Sequence, residues 1–248
     1  MSRLGEWALA DPVYVLEGVE KAYSTRRGGA MALRGISIRL YNGLYVLVGP
    51  NGSGKSTLLR VLAGITRPDK GEVAYLGRRF WRDCDDSCIA LLRRREIGYL
   101  PQNLLVPPYL RVVDIVGMPL WLDGVGDWRA RALEALETLG ARELADKRAG
   151  SLSVGQRQKA AIARALLAGS RVLLLDEPFS HLDEEGVLAL VNILISSSRN
   201  RLVVVATPSE SMALLLKRGA NATTLCIRGG RLTECEELGS AYAPAGAL

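Results

Sequence analysis

Nine consecutive residues, Gly49-Pro50-Asn51-Gly52-Ser53-Gly54-Lys55-Ser56-Thr57, constrain this chain more than any other stretch. The run before them, Leu44-Tyr45-Val46-Leu47-Val48, is apolar, short and β-prone. The run after them, Thr57 to Ala63, has helical spacing and stops at Gly64. Strand, glycine-rich loop and helix together are the context that separates a phosphate-binding loop from a chance match. Glycines let successive backbone N–H groups curl around an anion, and the helix N-terminus adds the positive end of its dipole. Lys55 is then placed to reach the β- and γ-phosphates of a nucleotide, and the Ser56 hydroxyl to ligate Mg²⁺.

The 248 residues suit one large α/β domain, or a domain with a small insertion, with room for a substantial core. No apolar stretch approaches the ~18–20 residues needed to span a bilayer. Met1 to Asp11 lacks a basic segment followed by an apolar one, so a soluble, cytoplasmic protein is expected. Four cysteines, Cys84, Cys88, Cys226 and Cys235, are too sparse for a disulfide framework and suit a reducing compartment. Cys84 and Cys88 lack a second pair or a nearby histidine to complete a metal site, so free thiols are expected. The net charge is +6, but outside Arg93-Arg94-Arg95 the arginines are scattered and no aromatic residues alternate with that cluster. A solvated surface is expected, with no nucleic-acid partner.

Along the chain, residues 13–19 and 32–40 read as strands, with a polar Arg/Gly loop over 24–29 between them. Thr66 to Gly71 reads as a turn and Glu72 to Leu76 as a strand. Residues 78–96 read as charged and irregular, with a helix near Cys88 to Arg94. Ile97 to Leu100 is a short strand leading to Pro101-Gln102-Asn103. Helical patterns fill Val112 to Ala149, broken by Pro119 and by residues 123–126, so an all-helical insertion is expected in an otherwise α/β chain. Gln156 to Ala168 reads as a strong helix. Arg171 to Pro178 reads as a buried strand, apolar from Val172 to Leu175 and ending in two carboxylates, as expected of a central parallel strand covered on both faces. A helix over 184–197, a strand over 202–206, a helix near 209–217 and a hairpin turning at Gly229-Gly230 complete the pattern.

Hydrolysis of a nucleoside triphosphate needs a metal ion bridging the phosphates, donors that neutralise the γ-phosphate, and a positioned water. Asp176, at the carboxyl end of a buried parallel strand, is expected beside the phosphate loop as a Mg²⁺ ligand. Glu177 is the candidate general base or water-orienting group, and Gln102 is placed to touch both the metal and the water. Tyr23, 26 residues before Gly49, presents a ring that can stack on a nucleobase.

Taken in order, these motifs resemble the nucleotide-binding subunit of ATP-binding-cassette (ABC) transporters over almost the full chain. Tyr23 matches the adenine-stacking aromatic, Gly49 to Thr57 the phosphate loop, Gln102 the glutamine loop and Leu152-Ser153-Val154-Gly155-Gln156 the signature motif. Val172 to Glu177 matches the second nucleotide strand, and Ser180-His181-Leu182-Asp183 the dimer-contact loop. The resemblance implies a P-loop NTPase of α/β class with a mainly parallel core sheet, an antiparallel β-subdomain and an inserted helical subdomain. Residues 11–101 and 170–248 form the core, and 102–169 the insertion, of a single domain 1–248. It implies ATP and Mg²⁺, and a head-to-tail dimer in which each ATP contacts one subunit's phosphate loop and the other's Ser153, Gly155 and Gln156. It also implies an integral membrane permease gripped by the helical block, and a peripheral position on the cytoplasmic face of the membrane. Residues 91–168 look most like the lipoprotein-releasing and macrolide-export branch. A soluble ABC ATPase acting in assembly, regulation or nucleotide sensing is the alternative. DNA-repair relatives carry a long coiled coil before the signature, whereas 49 residues separate Gln102 from Leu152 here.

Two positions depart from the family pattern. Val154 replaces the first signature glycine, where a β-branched residue would resist φ > 0 and crowd an incoming phosphate. Thr207 stands where the family places a switch histidine, and a hydroxyl is shorter and uncharged near neutral pH. The single histidine, His181, falls in the dimer-contact loop instead. Slow turnover is therefore expected.

Overall fold

The computed structural model describes residues 11–25, 28–103, 107–168 and 171–235. Two sheets carry it. Strands β1 (Tyr14–Thr25), β2 (Gly28–Leu40), β4 (Lys70–Tyr75) and β5 (Arg78–Arg79) form an antiparallel sheet in the order β2-β1-β4-β5. Strands β3 (Gly43–Val48), β6 (Ile97–Leu100), β7 (Val172–Asp176), β8 (Leu202–Thr207), β9 (Thr223–Arg228) and β10 (Arg231–Thr233) form the other, in the order β10-β9-β3-β8-β7-β6. Every neighbour pair in this second sheet is parallel except β9 with β10.

The period-2 geometry of a strand explains why β7 and β8 are apolar throughout. Leu173, Leu175, Val203 and Val205 point into one core, and Val172, Leu174, Leu202 and Val204 into the other. The first core is covered by α4 (Val112–Leu122), α5 (Trp128–Glu137), α6 (Val154–Leu167), α7 (Glu184–Ser197) and α8 (Glu210–Ala220). The second encloses α1 (Lys55–Leu62) between the two sheets, packing Leu58, Leu59 and Leu62 with Tyr14, Leu16 and Leu33. Phe80, opening the short α2 (Phe80–Asp83), sits edge-on to Tyr14 at 6.1 Å and against Tyr75 at 5.5 Å. Helix α3 (Asp86–Glu96) leads into β6.

Several local expectations are corrected. Within the polar stretch 24–29 the described residues are paired strand, Ser24 opposite Gly29 and Thr25 opposite Gly28, while residues 26–27 lie outside the described set. Its ladder needs backbone pairing and no apolar side chains, so composition concealed it. Pro119 does not break α4; it opens the last turn, where the helix loses a single N–H. Residues 78–96 are mostly helical, with Asp85 capping α3 through the Cys88 N–H at 2.8 Å. The cysteines are not free: Cys84 pairs with Cys88 and Cys226 with Cys235, each with a Cα separation of 5.3 Å. One pair spans the capping turn of α3 and the other ties β9 to the residue shortly after β10, spacings well within disulfide reach. Among the described residues no helix is long and apolar enough to cross a membrane.

Candidate functional site

Strands β3, β8, β7 and β6 are consecutive parallel neighbours, so their carboxyl ends lie along one edge. The phosphate loop leaves β3 there, Thr207 ends β8, Asp176 ends β7 with Glu177 next, and Gln102 follows β6 by two residues. Topology thus gathers residues scattered over more than a hundred positions. This is the edge at which open α/β sheets bind ligands.

The loop itself is shaped by backbone. Gly52 and Gly54 have φ +78° and +109°, in the region closed to most side chains. A Cβ on Gly54 would sit 2.4 Å from the Ala32 carbonyl oxygen, and one on Gly49 would meet Ile227. Helix α1 therefore starts on a glycine, and no side chain caps its first N–H groups. Ser53, Lys55 and Thr57 are buried, Ser56 is partly buried, and Asn51 and Gly52 are exposed. The Lys55 ammonium donates to the carbonyls of Gly49 at 2.7 Å and Pro50 at 3.0 Å, inside the curve of the loop. Burial lowers its pKa from the usual lysine value, and the carboxylates of Glu177 and Asp176 oppose that shift. Lys55, Asp176 and Glu177 hence share one electrostatic neighbourhood.

Asp176 is 1 % exposed, and neither of its oxygens has a hydrogen-bond partner. Burial raises its pKa above the usual carboxylate value; the nearby Ser56 hydroxyl favours the anion, Glu177 disfavours it, and Lys55 and Arg60 help to hold it charged. An orphaned buried carboxylate is costly unless something compensates it. A hard cation held by the Ser56 hydroxyl and Asp176 would supply that compensation, and an all-oxygen donor set would suit Mg²⁺.

Glu177 departs from ordinary backbone geometry, with φ +52°, and His181 follows at +66°. Non-glycine residues held there cost about 1–3 kcal/mol each and collect at functional sites. The Glu177 turn is fixed on three sides. Its N–H donates to Ala206 at 2.9 Å, and its carbonyl accepts from the Ser180 hydroxyl and from Gln158 Nε2, which also reaches Pro178 O at 3.1 Å. Thr207 is 4 % exposed and its hydroxyl accepts the Ser209 N–H at 3.1 Å, so it caps the turn into α8. Gln102 is exposed.

The signature residues lie elsewhere. Ser153 caps α6, its Oγ accepting the Gln156 N–H at 3.2 Å while Gln156 Oε1 accepts the Ser153 N–H at 3.1 Å. Val154 is the first helical residue, is 50 % exposed and does not have positive φ, so the strain expected of it is absent. Gly155 is required for another reason: a Cβ there would lie 2.5 Å from the His181 carbonyl oxygen. Among the described residues, no hydrogen bond joins the first turn of α6 to the phosphate loop of the same chain. Tyr23 stands near the hairpin tip, 36 % exposed, with the Lys21 ammonium 5.8 Å from its ring centre.

Sequence reasoning missed the residues that hold these parts in place. Gln158 and Lys159, one turn into α6, grip the Glu177–Asp183 segment, Lys159 bridging to Asp183 at 3.1 Å. Gly230 donates to Ser53 O at 2.9 Å and accepts from Arg34 N at 2.8 Å, joining the phosphate loop to β2. The Gly229-Gly230 pair signalled a hairpin turn, and nothing in its composition signalled that contact.

Comparison with known proteins agrees with this geometry. Residues 33–180 match the family model described as ABC transporter. The lipoprotein-releasing system ATP-binding protein LolD 2 of Caulobacter vibrioides is 35% identical over 218 residues, covering 85% of this chain and 94% of that protein. The LolD protein of Maricaulis maris is 41% identical over 180 residues, 71% of this chain and 78% of its own length. The macrolide export ATP-binding/permease protein MacB of Chlorobium luteolum is 35% identical over 210 residues, 84% of this chain but 32% of that larger protein. Among solved structures, a dimeric ATP-binding cassette in a post-hydrolysis state, bound to ADP and phosphate, superposes with a TM-score of 0.81. It is 28% identical in sequence, with 91% of this chain and 98% of that one covered.

Proposed function

The chain belongs to the ABC transporter family, near its lipoprotein-release and macrolide-export branch, and we propose that it energises a separate membrane permease by binding and hydrolysing ATP between two paired cassettes. The observation that carries this reading is the shared strand-end edge, where a glycine cradle with a buried lysine faces an unpartnered buried carboxylate. In this reading the backbone of residues 51–57 and Lys55 hold the phosphates. Ser56 and Asp176 would hold Mg²⁺, with Gln102 able to join them when its loop approaches. The ion would neutralise developing phosphate charge. Glu177 orients and deprotonates the attacking water, and its left-handed turn, pinned by Gln158 and Ser180, aims the carboxylate. Tyr23 stacks on the base. Ser153, Gly155 and Gln156 complete the site of the other cassette, identical or different, so that loss of the γ-phosphate releases the pair.

A groove of about 510 Å³ supports the permease partner. It lies where α3 and β6 of the core meet α4 and α6 of the helical block, lined by Arg93, Tyr99, Pro101, Met118, Leu122 and Ala165. Pro101 adjoins Gln102, so an element of the permease seated there would sense the nucleotide through that glutamine. In this reading the protein docks on the cytoplasmic face of the membrane.

Thr207 makes turnover slow, because its hydroxyl is occupied with the Ser209 N–H and carries no charge. Purified protein should hydrolyse MgATP. Glu177→Gln should abolish turnover, retain binding and trap a dimer, and Thr207→His should raise turnover about tenfold, short of the ~10²–10⁴-fold that a fully positioned acid–base group supplies. Co-purification with a multispanning membrane protein is expected. ATPase activity indifferent to every membrane subunit would favour the non-transport alternative, and absence of ATP binding would end the proposal.

A further inference from the structure

The base-stacking role given to Tyr23 raises a physical question: what holds an exposed ring at a hairpin tip in one place. The β1–β4 ladder ends at Glu20 opposite Lys70, so on that side β1 continues beyond it without a partner strand. At that point Asp69 takes over. Its N–H donates to the Glu20 carbonyl at 2.8 Å, one carboxylate oxygen accepts the Ala22 N–H at 2.7 Å, and the other accepts Lys21 Nζ at 2.8 Å. Asp69 therefore binds three successive residues of β1, directly before Tyr23. Lys21 and Tyr23 share a strand face, and the Lys21 side chain, 17 % exposed and held by Asp69, carries its ammonium over the Tyr23 ring.

On the other edge of β1, the register with β2 shifts at the same place. Lys21 faces Leu33 and Ala22 faces Met31, which leaves Ala32 as the extra residue. A bulge of this kind re-aims the side chains that follow it. The displaced Ala32 presents its carbonyl to the phosphate loop, where a Cβ on Gly54 would be 2.4 Å away. One irregularity in the hairpin is thus fixed by Asp69 on one side and abuts the phosphate cradle on the other.

We propose that Asp69 is a positioning residue for nucleobase recognition: it clamps Lys21 and Ala22 so that one face of the Tyr23 ring is covered by Lys21 and the other is offered to the base. This rests on the nucleotide-binding reading of the site, and it concerns the base alone. Asp69 touches neither the loop nor the phosphates in this arrangement. Its contribution should therefore be selective for ligands that carry a base.

The test is calorimetric titration of the full chain with MgATP and, separately, with magnesium tripolyphosphate, which has the phosphates and no base. Asp69→Ala and Tyr23→Ala should each weaken MgATP about tenfold, the scale of one lost stacking contact, and leave tripolyphosphate within about twofold. The double variant should bind MgATP no more weakly than Tyr23→Ala alone, because both remove the same platform. Lys21→Met, which keeps the Asp69–Ala22 bond, should weaken MgATP about threefold. It also guards against a folding defect in Asp69→Ala. Unchanged MgATP affinity in Asp69→Ala, an equal loss for both ligands, or additive losses in the double variant would each overturn the clamp. If the wild type binds neither ligand, or Lys55→Ala binds both as well as wild type does, the nucleotide reading fails first and separately.

Discussion

Helices α1 and α6 are both assigned to phosphate, yet their first turns are built in opposite ways. Helix α1 begins on Gly54 in a left-handed conformation with no side-chain cap, so its leading N–H groups await an outside acceptor. Helix α6 begins on Ser153, whose side chain and that of Gln156 already satisfy each other's backbone in a closed capping box. One N-terminus needs a ligand to be complete; the other is complete beforehand and is held as a unit. The glycines differ in the same way. Gly54 gives the backbone room to curl, whereas Gly155 gives the helix room to pack against His181. The contrast teaches that α1 should bind nucleotide in a single subunit, while α6 should act as a preformed surface that a second subunit's nucleotide approaches.

Nucleotide binding and subunit pairing are separable by two substitutions. Lys55→Ala removes the one cation inside the α1 cradle and should weaken ATP by about a hundredfold or more, as loss of a charge-assisted contact commonly does. Pairing should vanish with it. Ser153→Arg should leave ATP binding to the monomer unchanged and still abolish ATP-induced pairing. Equilibrium binding together with sedimentation reads both. Loss of monomer binding in Ser153→Arg would mean that the two helices serve one site within one chain.

Next in size is a pair of glycine replacements. Gly155→Ala puts a methyl group 2.5 Å from a backbone oxygen of a residue already at φ +66°, so neither side can yield easily. Overpacking of this kind costs about 1–3 kcal/mol, to be measured by denaturant unfolding, and should also displace the Glu177 turn and lower turnover. Gly52→Ala, at φ +78° with nothing near its Cβ, should cost about 1 kcal/mol through backbone strain alone.

A smaller effect concerns how α6 is held. Lys159 and the N–H of Gly186 keep the Asp183 carboxyl below its ordinary value of 3.8. A carboxylate with a depressed folded pKa stabilises the fold above its unfolded pKa, and that contribution is lost as pH falls through the lower folded value. The melting-temperature gap between wild type and Asp183→Asn should be constant near neutrality and close below pH about 4. A gap that instead widens on acidification would show that another group governs this contact.

These contacts also mark where sequence reading stopped. The phosphate loop, the two-sided strand β7 and the carboxylates after it were legible because each is local: glycines fix a backbone, a continuous apolar run demands two covered faces, and polar residues at its end have few other uses. The pairing of residues 24–25 with 28–29 was hidden because it is carried by backbone alone. Gln158, Asp69 and Gly230 were hidden for a related reason. Each works by reaching a main-chain atom far away in sequence, and a main-chain partner leaves no trace in residue type. The strain expected at Val154 is absent because that expectation borrowed the conformation a glycine can adopt, whereas Ser153 already sets an ordinary helical start.

That last point gives the smallest predicted effect and the finest test of the comparison. Val154 is the first residue of a capped helix, half exposed, with negative φ, so a glycine there relieves no strain in the subunit. Val154→Gly should change stability by no more than about 1 kcal/mol, in the destabilising direction, since glycine adds freedom to the unfolded chain. If α6 is a preformed surface, removing the isopropyl group should alter turnover by less than about twofold. A large rise in turnover, at unchanged affinity of the monomer for ATP, would say otherwise. It would show that the side chain obstructs the approaching phosphate, and that α6, like α1, becomes complete when its ligand arrives.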